Sequence, residues 1–225
     1  MAVLYVGRKM LRTESLEEIT DGKKYSVNDM VKAGTGGCAG CSHCCETMAD
    51  TIVLSPMDVH NLEKATGKSF EGLVDTCLEL KIHDGIILPN MKSDNGVCVM
   101  LKDKRCTIHA ERPDFCRLFP LGRLYEDDTF SYIMQINQCD KASVKVKVKK
   151  WIDTPDYERY SKYILRWHGI IKKSAAKAAQ EPDRCKDIMM SLLQRFYQVP
   201  FMNDSDFYEE FDSRADLFIY EVLGG

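Results

Sequence analysis

The chain has 225 residues, of which 44% are hydrophobic, and it carries a formal net charge of −3 at pH 7. A chain of this length and composition can bury a core without disulfide bonds, in one domain with an appendage or in two small domains. The near-balanced charge argues against a general nucleic-acid binder, because such proteins carry an excess of lysine and arginine. We therefore expect no nucleic-acid partner.

The N-terminal residues lack the charged start and apolar stretch of a signal peptide, and no apolar run approaches the ~20 residues of a membrane span. We expect a soluble cytoplasmic protein that does not contact membranes. The chain has ten cysteines. Because thiols in a reducing cytosol do not rest as structural disulfides, these cysteines predict metal binding or redox chemistry.

Residues 1–35 are mixed in character and form an N-terminal extension that ends in a glycine-rich segment. This segment, Gly34-Thr35-Gly36-Gly37, lets the backbone approach a bulky centre closely. Four cysteines follow at once, in Cys38-Ala39-Gly40-Cys41-Ser42-His43-Cys44-Cys45. The spacing Cys38-x2-Cys41-x2-Cys44 is similar to the opening ligand run of a bacterial ferredoxin, in which each two-residue gap turns successive thiolates back onto one metal centre.

Four more cysteines lie in segments punctuated by Gly, Pro and charge, and we assign all eight as metal ligands. The second group is Cys98, Cys106, Cys116 and Cys139. The remaining two, Cys77 and Cys185, stand in apolar stripes of helical period, so we interpret them as small core residues.

The elements along the chain predict an α+β fold. Ser55-Pro56-Met57-Asp58 begins a helix that should end near Gly67, and a second helix begins after Ser69. Short strands are predicted between residues 86 and 135, with Glu126-Asp127-Asp128 as the turn of a hairpin. The C-terminal part is helical again from Thr154-Pro155 onward. We expect a cysteine-cluster metal-binding domain over residues 36–143 and a mostly helical region over residues 144–225.

Residues 144–150, Val-Lys-Val-Lys-Val-Lys-Lys, alternate strictly and predict a strand with one lysine face. Such a face is usually solvated and protects a sheet edge. The alternative is that it docks an acidic partner or the chain's own acidic tail, since residues 201–225 carry seven acids against Arg214 alone.

The order of these residues resembles the CxxCxxCC family, also called YkgJ-type cysteine-cluster proteins. The resemblance covers about residues 38–140. It depends on the first cluster, the separated Cys98, and the run Cys106-Thr107-Ile108-His109-x2-Arg112-Pro113-x2-Cys116-Arg117-x-Phe119-Pro120. The family usually has a Cys-Pro-Gly-like element where this chain has Cys139-Asp140-Lys141. The resemblance implies zinc or iron chelation, and flagellin lysine N-methylases share the cysteine module, which implies an iron–sulfur cluster.

The spacing of the cysteines favours a [4Fe-4S] cluster over Zn²⁺ and leaves the alternative open. Structural zinc sites commonly join two Cys-x2-4-Cys knuckles, and only the first half of this motif has them. A cluster is larger than one zinc ion and can collect thiolates from several loops. Eight thiols exceed the four ligands of one cluster, so the sequence allows one centre or two.

Arg112 and Arg117 flank Cys116, and we assign both to cofactor binding. Positive charge beside thiolates lowers their pKa and offsets the negative charge of a thiolate-bound cluster. For Arg112 an ordinary carboxylate pair is the alternative. His43 and His109 lie inside the motif and are alternative ligands or hydrogen-bond partners of sulfur.

Functions of different classes fit this pattern, and whether the chain is an enzyme stays open. The first is an iron–sulfur protein in redox chemistry or protein side-chain modification, for which the resemblance implies S-adenosylmethionine-dependent lysine methylation. The chain has no Cys-x3-Cys-x2-Cys radical-enzyme motif and no clear nucleotide-binding loop. The second is a zinc-stabilised module that binds a protein or peptide without catalysis. The third is a thiol redox sensor built on Cys44 and Cys45.

Overall fold

A computed structural model describes residues 3–4, 16–34, 41–139 and 141–224. This part of the chain combines α-helices with short strands, and every strand pair in it is antiparallel. The fold is therefore α+β, as the sequence predicts. In the same ranges no helix is both long enough and apolar enough to cross a membrane.

The strands are short and are distributed along the whole first two thirds of the chain. In chain order they are β1 (Val3–Leu4), β2 (Met30–Gly34), β3 (Leu78–His83), β4 (Ile86–Met91), β5 (Ser93–Asp94), β6 (Val97–Cys98), β7 (Leu101–Lys102), β8 (Arg105–Cys106), β9 (Leu121–Glu126), β10 (Thr129–Met134) and β11 (Val144–Lys147). They form one three-stranded sheet, β1-β9-β10, and the pairs β2–β11, β3–β4, β5–β6 and β7–β8.

The helices are short in the first two thirds of the chain and longer near its end. They are α1 (Leu16–Ile19), α2 (His43–Thr47), α3 (Pro56–Thr66), α4 (Phe70–Thr76), α5 (Asp114–Leu118), α6 (Val148–Ile152), α7 (Tyr157–Gln180), α8 (Cys185–Leu193) and α9 (Phe207–Phe218). The π-helical turns Gln194–Gln198 and Ile219–Leu223 extend α8 and α9.

The chain folds into two compact units, each built from two separate stretches. The cysteine unit consists of Met1–Ile52 and Lys92–Tyr157, and the helical unit consists of Val53–Met91 and Glu158–Gly225. The seven motif cysteines that the structure describes all belong to the cysteine unit. The domain boundaries predicted from the sequence, after residues 35 and 143, stay predictions.

The core of the cysteine unit is formed where two strand pairs and two helices meet. Its fully buried side chains are Val31, Ala33, Leu118, Leu121, Tyr132, Val148 and Ile152. The predicted hairpin is confirmed: β9 and β10 pair from Leu121 opposite Met134 to Glu126 opposite Thr129, and Asp127 in the turn has a φ of 47°. This core fixes the two elements, α5 and β11, that flank the cysteine-bearing loops.

The start of the helical unit follows its local sequence signals. The Ser55 hydroxyl accepts a hydrogen bond from the Asp58 backbone N–H, and the Asp58 carboxylate accepts one from the Ser55 N–H, so the two residues form a capping box. Gly67 ends α3 with a φ of 68°, the left-handed conformation that favours glycine. Both predicted ends of α3 are confirmed.

The rest of the helical unit is organised by α7, whose apolar side is buried. Phe211 of α9 lies at the centre of an aromatic cluster, with ring centroids 4.6 Å from Tyr163 and 5.7 Å from Phe196. Cys77 is buried, as predicted. Cys185 is only half-buried at the first position of α8, so its assignment to the core is wrong.

Candidate metal centre

The described motif cysteines lie on short elements and loops of the cysteine unit. Cys44 and Cys45 are in α2, Cys98 in β6, Cys106 in β8 and Cys116 in α5, while Cys41 and Cys139 lie in loops. None of the nine described cysteines forms a disulfide. Cys38, the predicted first ligand, lies outside the described residues.

The sulfurs of Cys44, Cys45 and Cys106 form a hydrogen-bonded row with Cys45 in the middle. The hydrogen bond with Cys45 lowers the pKa of the Cys44 thiol to about 6 and that of the Cys106 thiol to about 7. The pKa of the Cys45 thiol is raised, first by its hydrogen bond with Cys106 and then by that with Cys44. Near neutral pH the row therefore offers thiolate, the form of cysteine that binds metals.

The hairpin that carries Cys98 packs beside α2, the helix of Cys44 and Cys45. The hydroxyl of Ser93 in β5 donates a hydrogen bond to the carboxylate of Asp50, which follows α2. The second hairpin, β7–β8, is extended by one more backbone hydrogen bond, in which the nitrogen of Thr107 lies 2.9 Å from the carbonyl oxygen of Met100. Its Cys106 reaches α2 through the hydrogen bond with Cys45, so the cysteines of both hairpins lie near this helix.

Cys116 is positioned by a buried ion pair at the start of its helix. The guanidinium of Arg123, on β9, donates to both carboxylate oxygens of Asp114 at 2.5 and 2.9 Å. The Arg123 side chain is only 3% exposed, so this bidentate pair is shielded from solvent. Leu118 anchors the other end of α5 in the core.

Arg117 forms hydrogen bonds with backbone carbonyl oxygens and so holds the loop that precedes α5. Its guanidinium donates hydrogen bonds to the carbonyl oxygens of Ala110, of Arg112 at 3.1 Å and of Asp153 at 3.5 Å. The loop so fixed joins Cys106 to Cys116. Any contact of Arg117 with a cofactor stays a prediction.

Arg112 lies close enough to Cys106 for its charge to favour the thiolate. The pKa of Cys106 is lowered first by the Cys45 hydrogen bond, then by the Ile108 backbone N–H, with the charge of Arg112 as a smaller favourable contribution. Arg112 also donates a hydrogen bond to the carbonyl oxygen of His109 at 3.0 Å. Its predicted place beside the thiols agrees with this arrangement, and its role in binding a cofactor remains to be tested.

Lys141 is a charged neighbour of the cysteines that the sequence reasoning did not single out. Its ammonium nitrogen lies 3.5 Å from the sulfur of Cys41. The backbone N–H of Ala142 donates a hydrogen bond to the carbonyl oxygen of Cys139, and the resulting turn brings Lys141 toward the first group of cysteines. The signal in the sequence was its position two residues after Cys139, where the family resemblance is weakest.

The side chains of the described residues are not arranged around a single metal position. No three Cys, His, Asp or Glu side chains in the described ranges are arranged as a group that could hold a metal ion. Among the three hydrogen-bonded sulfurs, Cys45 is the shared partner of the other two. The donor set still fits a thiophilic metal, because thiolates are the ligands that zinc and iron–sulfur clusters prefer.

Residues 37–150 match a family model named CxxCxxCC and described as "Putative zinc- or iron-chelating domain". The matched segment contains all eight motif cysteines and spans half of the chain. The chain belongs to the CxxCxxCC family. Comparisons with curated proteins and with solved structures found no match.

Proposed function

We propose that the cysteine unit holds a metal–thiolate centre and that this centre is an iron–sulfur cluster of the [4Fe-4S] type. The observation that carries the proposal is the row formed by Cys44, Cys45 and Cys106, which joins two elements far apart in the sequence. Half-buried thiols that are hydrogen-bonded to one another and lie beside positive charge are typical of a ligand set and not of passive core packing.

The distribution of the thiols supports a cluster over a single zinc ion. The candidate ligands come from α2, two hairpins, α5 and two loops, with long and irregular gaps between them. A cluster takes thiolates from more widely spaced elements than one zinc ion does. The charges of Lys141 and Arg112 would offset the negative charge of the bound cluster, and the cluster would supply one-electron redox chemistry.

The finer version of this proposal is a protein that modifies side chains of another protein, as a lysine N-methylase does. It is supported by the resemblance of the cysteine module to that of flagellin lysine N-methylases. S-adenosylmethionine would then be a second cofactor. Equilibrium dialysis of the reduced, metal-loaded protein with S-adenosylmethionine tests this version, which is abandoned if no binding is measured.

A zinc-stabilised module that binds a protein or peptide is the second candidate function. The observation in its favour is the size of hairpins β5–β6 and β7–β8, with two residues in each strand. Hairpins this small are marginal alone, and a structural zinc ion commonly holds such pieces together.

The experiment that separates the two is anaerobic purification of the full chain followed by iron, zinc and acid-labile sulfide analysis with a visible absorption spectrum. About four iron and four sulfide per chain, with a broad charge-transfer band, is the expected result. Stoichiometric zinc without sulfide would overturn the cluster and support the binding module. A chain that retains neither metal after reconstitution would overturn both.

A further inference from the structure

The pair β2–β11 presents a face of lysines to solvent, which we call the lysine face. Val31 and Ala33 of β2 point into the core, so Met30 and Lys32 point outward. On β11 Val146 packs against the core, so Lys145 and Lys147 point outward. The lysine face is defined by Met30, Lys32, Lys145 and Lys147.

Within the described ranges, none of the three lysines of this face makes an ion pair or a hydrogen bond through its side chain. All three are exposed. Lys149 and Lys150, in the adjoining α6, are exposed as well. The positive charge of this part of the cysteine unit is therefore left without a complement among the described residues.

The acids of the tail are mostly paired within the helical unit. Five of the seven acids in residues 201–225 pair with arginines of the helical unit. The pairs are Asp206 with Arg159, Asp212 and Asp216 with Arg166, Glu210 with Arg214, and Glu221 with Arg195. The tail thus has its own partners, and the alternative in which it covers the lysine face is not supported.

The composition of the lysine face favours an acidic protein over a nucleic acid. Met30 is 49% exposed and lies beside Lys147, its partner in the strand pair, so the face offers an apolar contact next to charge. It contributes no aromatic side chain, and aromatic stacking is what single-stranded nucleic acids require. The net charge of −3 also opposes the approach of a polyanion.

The lysine face is continuous with the candidate metal centre. The backbone N–H of Ser143 bonds the carbonyl oxygen of Gly34 at 2.9 Å, where β2 and β11 begin to pair. Two residues earlier in the chain, Lys141 contacts the sulfur of Cys41 at 3.5 Å. A partner bound to the lysine face would lie next to the cysteine-bearing loops.

We propose that the lysine face docks an acidic surface of a partner protein, with an apolar side chain of that partner packed on Met30. Transfer of metal or of electrons between the centre and this partner would rest on the proposed function of the centre. The docking itself requires only the charge and the exposed methionine of the strand pair. Surface charge of this kind chiefly raises the association rate and selects the partner.

The test uses the full chain and a fluorescein-labelled peptide in which glutamates surround a central leucine, with binding followed by fluorescence anisotropy. The triple variant Lys32→Gln, Lys145→Gln, Lys147→Gln should bind this peptide roughly tenfold more weakly, as three exposed charge pairs are lost. The matched control Lys162→Gln, Lys172→Gln, Lys173→Gln removes three exposed lysines of α7 and should leave the affinity unchanged. A peptide with serine in place of leucine should bind the parent more weakly.

Three results would overturn the proposal. They are the absence of peptide binding by the parent, an equal loss of affinity in both triple variants, and tighter lysine-dependent binding of labelled single-stranded RNA or duplex DNA, which would assign the face to nucleic acid. Circular dichroism checks that each variant folds. The single variants Lys32→Gln and Lys147→Gln, each expected to weaken binding roughly twofold, keep the test valid if the triple variant does not fold.

The docking proposal and the proposed function fail separately. Metal content is measured on the same samples used for anisotropy. Lysine-dependent binding in a chain without metal would overturn the proposed function and retain the lysine face. If a metal-loaded chain bound the peptide independently of these lysines, the docking proposal would be overturned and the proposed function retained.

Discussion

At the level of single residues, the chemistry of the candidate centre depends on how three sulfurs share protons. The Cys45 thiol carries one proton, which it can donate to Cys44 or to Cys106, and this hydrogen bond lowers the pKa of the residue that accepts it. A cation that binds the row must displace the proton of Cys45. The two adjacent cysteines differ in their partners, because Cys45 is hydrogen-bonded to both other sulfurs.

Removal of the Cys106 sulfur should weaken metal retention far more than removal of the sulfur of Cys185. Cys106→Ser takes away one end of the row, whereas Cys185→Ser changes a half-buried thiol of the helical unit. We expect metal retention against a competing chelator to fall at least about tenfold for Cys106→Ser and to stay unchanged for Cys185→Ser. Metal analysis after gel filtration measures both, and equal metal loss in the two variants would contradict the assignment.

Glu63 gives the helical unit a dependence on pH that can be measured. Burial raises the pKa of this carboxyl from 4.5 to about 7. The stability contributed by its neutral form is fully present below pH 4.5 and is lost as the pH rises through 7. Glu63→Gln should therefore be more stabilising at pH 8 than at pH 5, by on the order of 1 kcal/mol after allowance for solvent screening.

Urea unfolding followed by Trp167 fluorescence, in a Trp151→Phe background, measures this effect in the helical unit. Trp151 and Trp167 are the two tryptophans of the chain. The control Glu209→Gln removes an acid of α9 that is exposed, so it removes one negative charge without removing a buried carboxyl. If Glu63→Gln changed the free energy of unfolding equally at both pH values, or if both variants showed the same pH dependence, the cause would not be the burial of the Glu63 carboxyl.

At the level of elements, local signals located most of the strands and helices and misplaced two boundaries. The alternating lysines predicted a strand to Lys150, yet β11 ends at Lys147 because Val148 turns inward and begins α6, which buries Val148 and Ile152 together. The helix predicted to begin after Ser69, whose apolar stripe includes Cys77, ends at Thr76, and Leu78 begins β3. The Asp84-Gly85 turn between β3 and β4 has positive φ at both residues, and an Asp-Gly pair is a strong hairpin signal.

The pairing of β2 with β11 should depend on Gly34. A Cβ atom at this position would lie 2.9 Å from the carbonyl oxygen of Val144 and 3.2 Å from its Cβ, and a backbone oxygen cannot rotate away. Gly34→Ala should lower the free energy of unfolding by about 1–3 kcal/mol. Urea unfolding measured by circular dichroism tests the value, and unchanged stability would show that the strands separate without cost.

Gly169→Ala is the control, because Gly169 is a glycine with open space around its Cα atom. Gly169 lies inside α7, and a Cβ atom there would meet no heavy atom within 4 Å. Alanine loses less backbone entropy than glycine in a helix, so we expect a gain of about 0.5–1 kcal/mol. The two alanine substitutions should thus change stability in opposite directions.

At the level of the whole molecule, the two units differ in what stabilises them. The helical unit has long helices and an aromatic core, whereas the cysteine unit has strands of a few residues and carries the described motif thiols. When metal ligands are brought together only in the folded state, the binding free energy adds to the folding free energy. Metal should therefore stabilise the cysteine unit selectively.

Removal of the metal should make the cysteine unit sensitive to protease before the helical unit. In limited proteolysis of metal-loaded and metal-stripped protein, we expect faster cleavage within residues 92–139 and little change within α7. Readdition of the metal should restore resistance. Equal acceleration of cleavage in both units, or none in either, would show that the centre does not support folding of the cysteine unit.

The sequence by itself determined the ligand-bearing motif, the family, the α+β class and the local ends of α3, because these depend on residue spacing and on hydrogen bonds between near neighbours. Only the tertiary structure decided which thiols meet, that Lys141 reaches Cys41, and that acids of the tail pair with Arg159, Arg166 and Arg195. Those contacts join residues far apart in the sequence. Packing of the cores fixes them, and no local pattern encodes that packing.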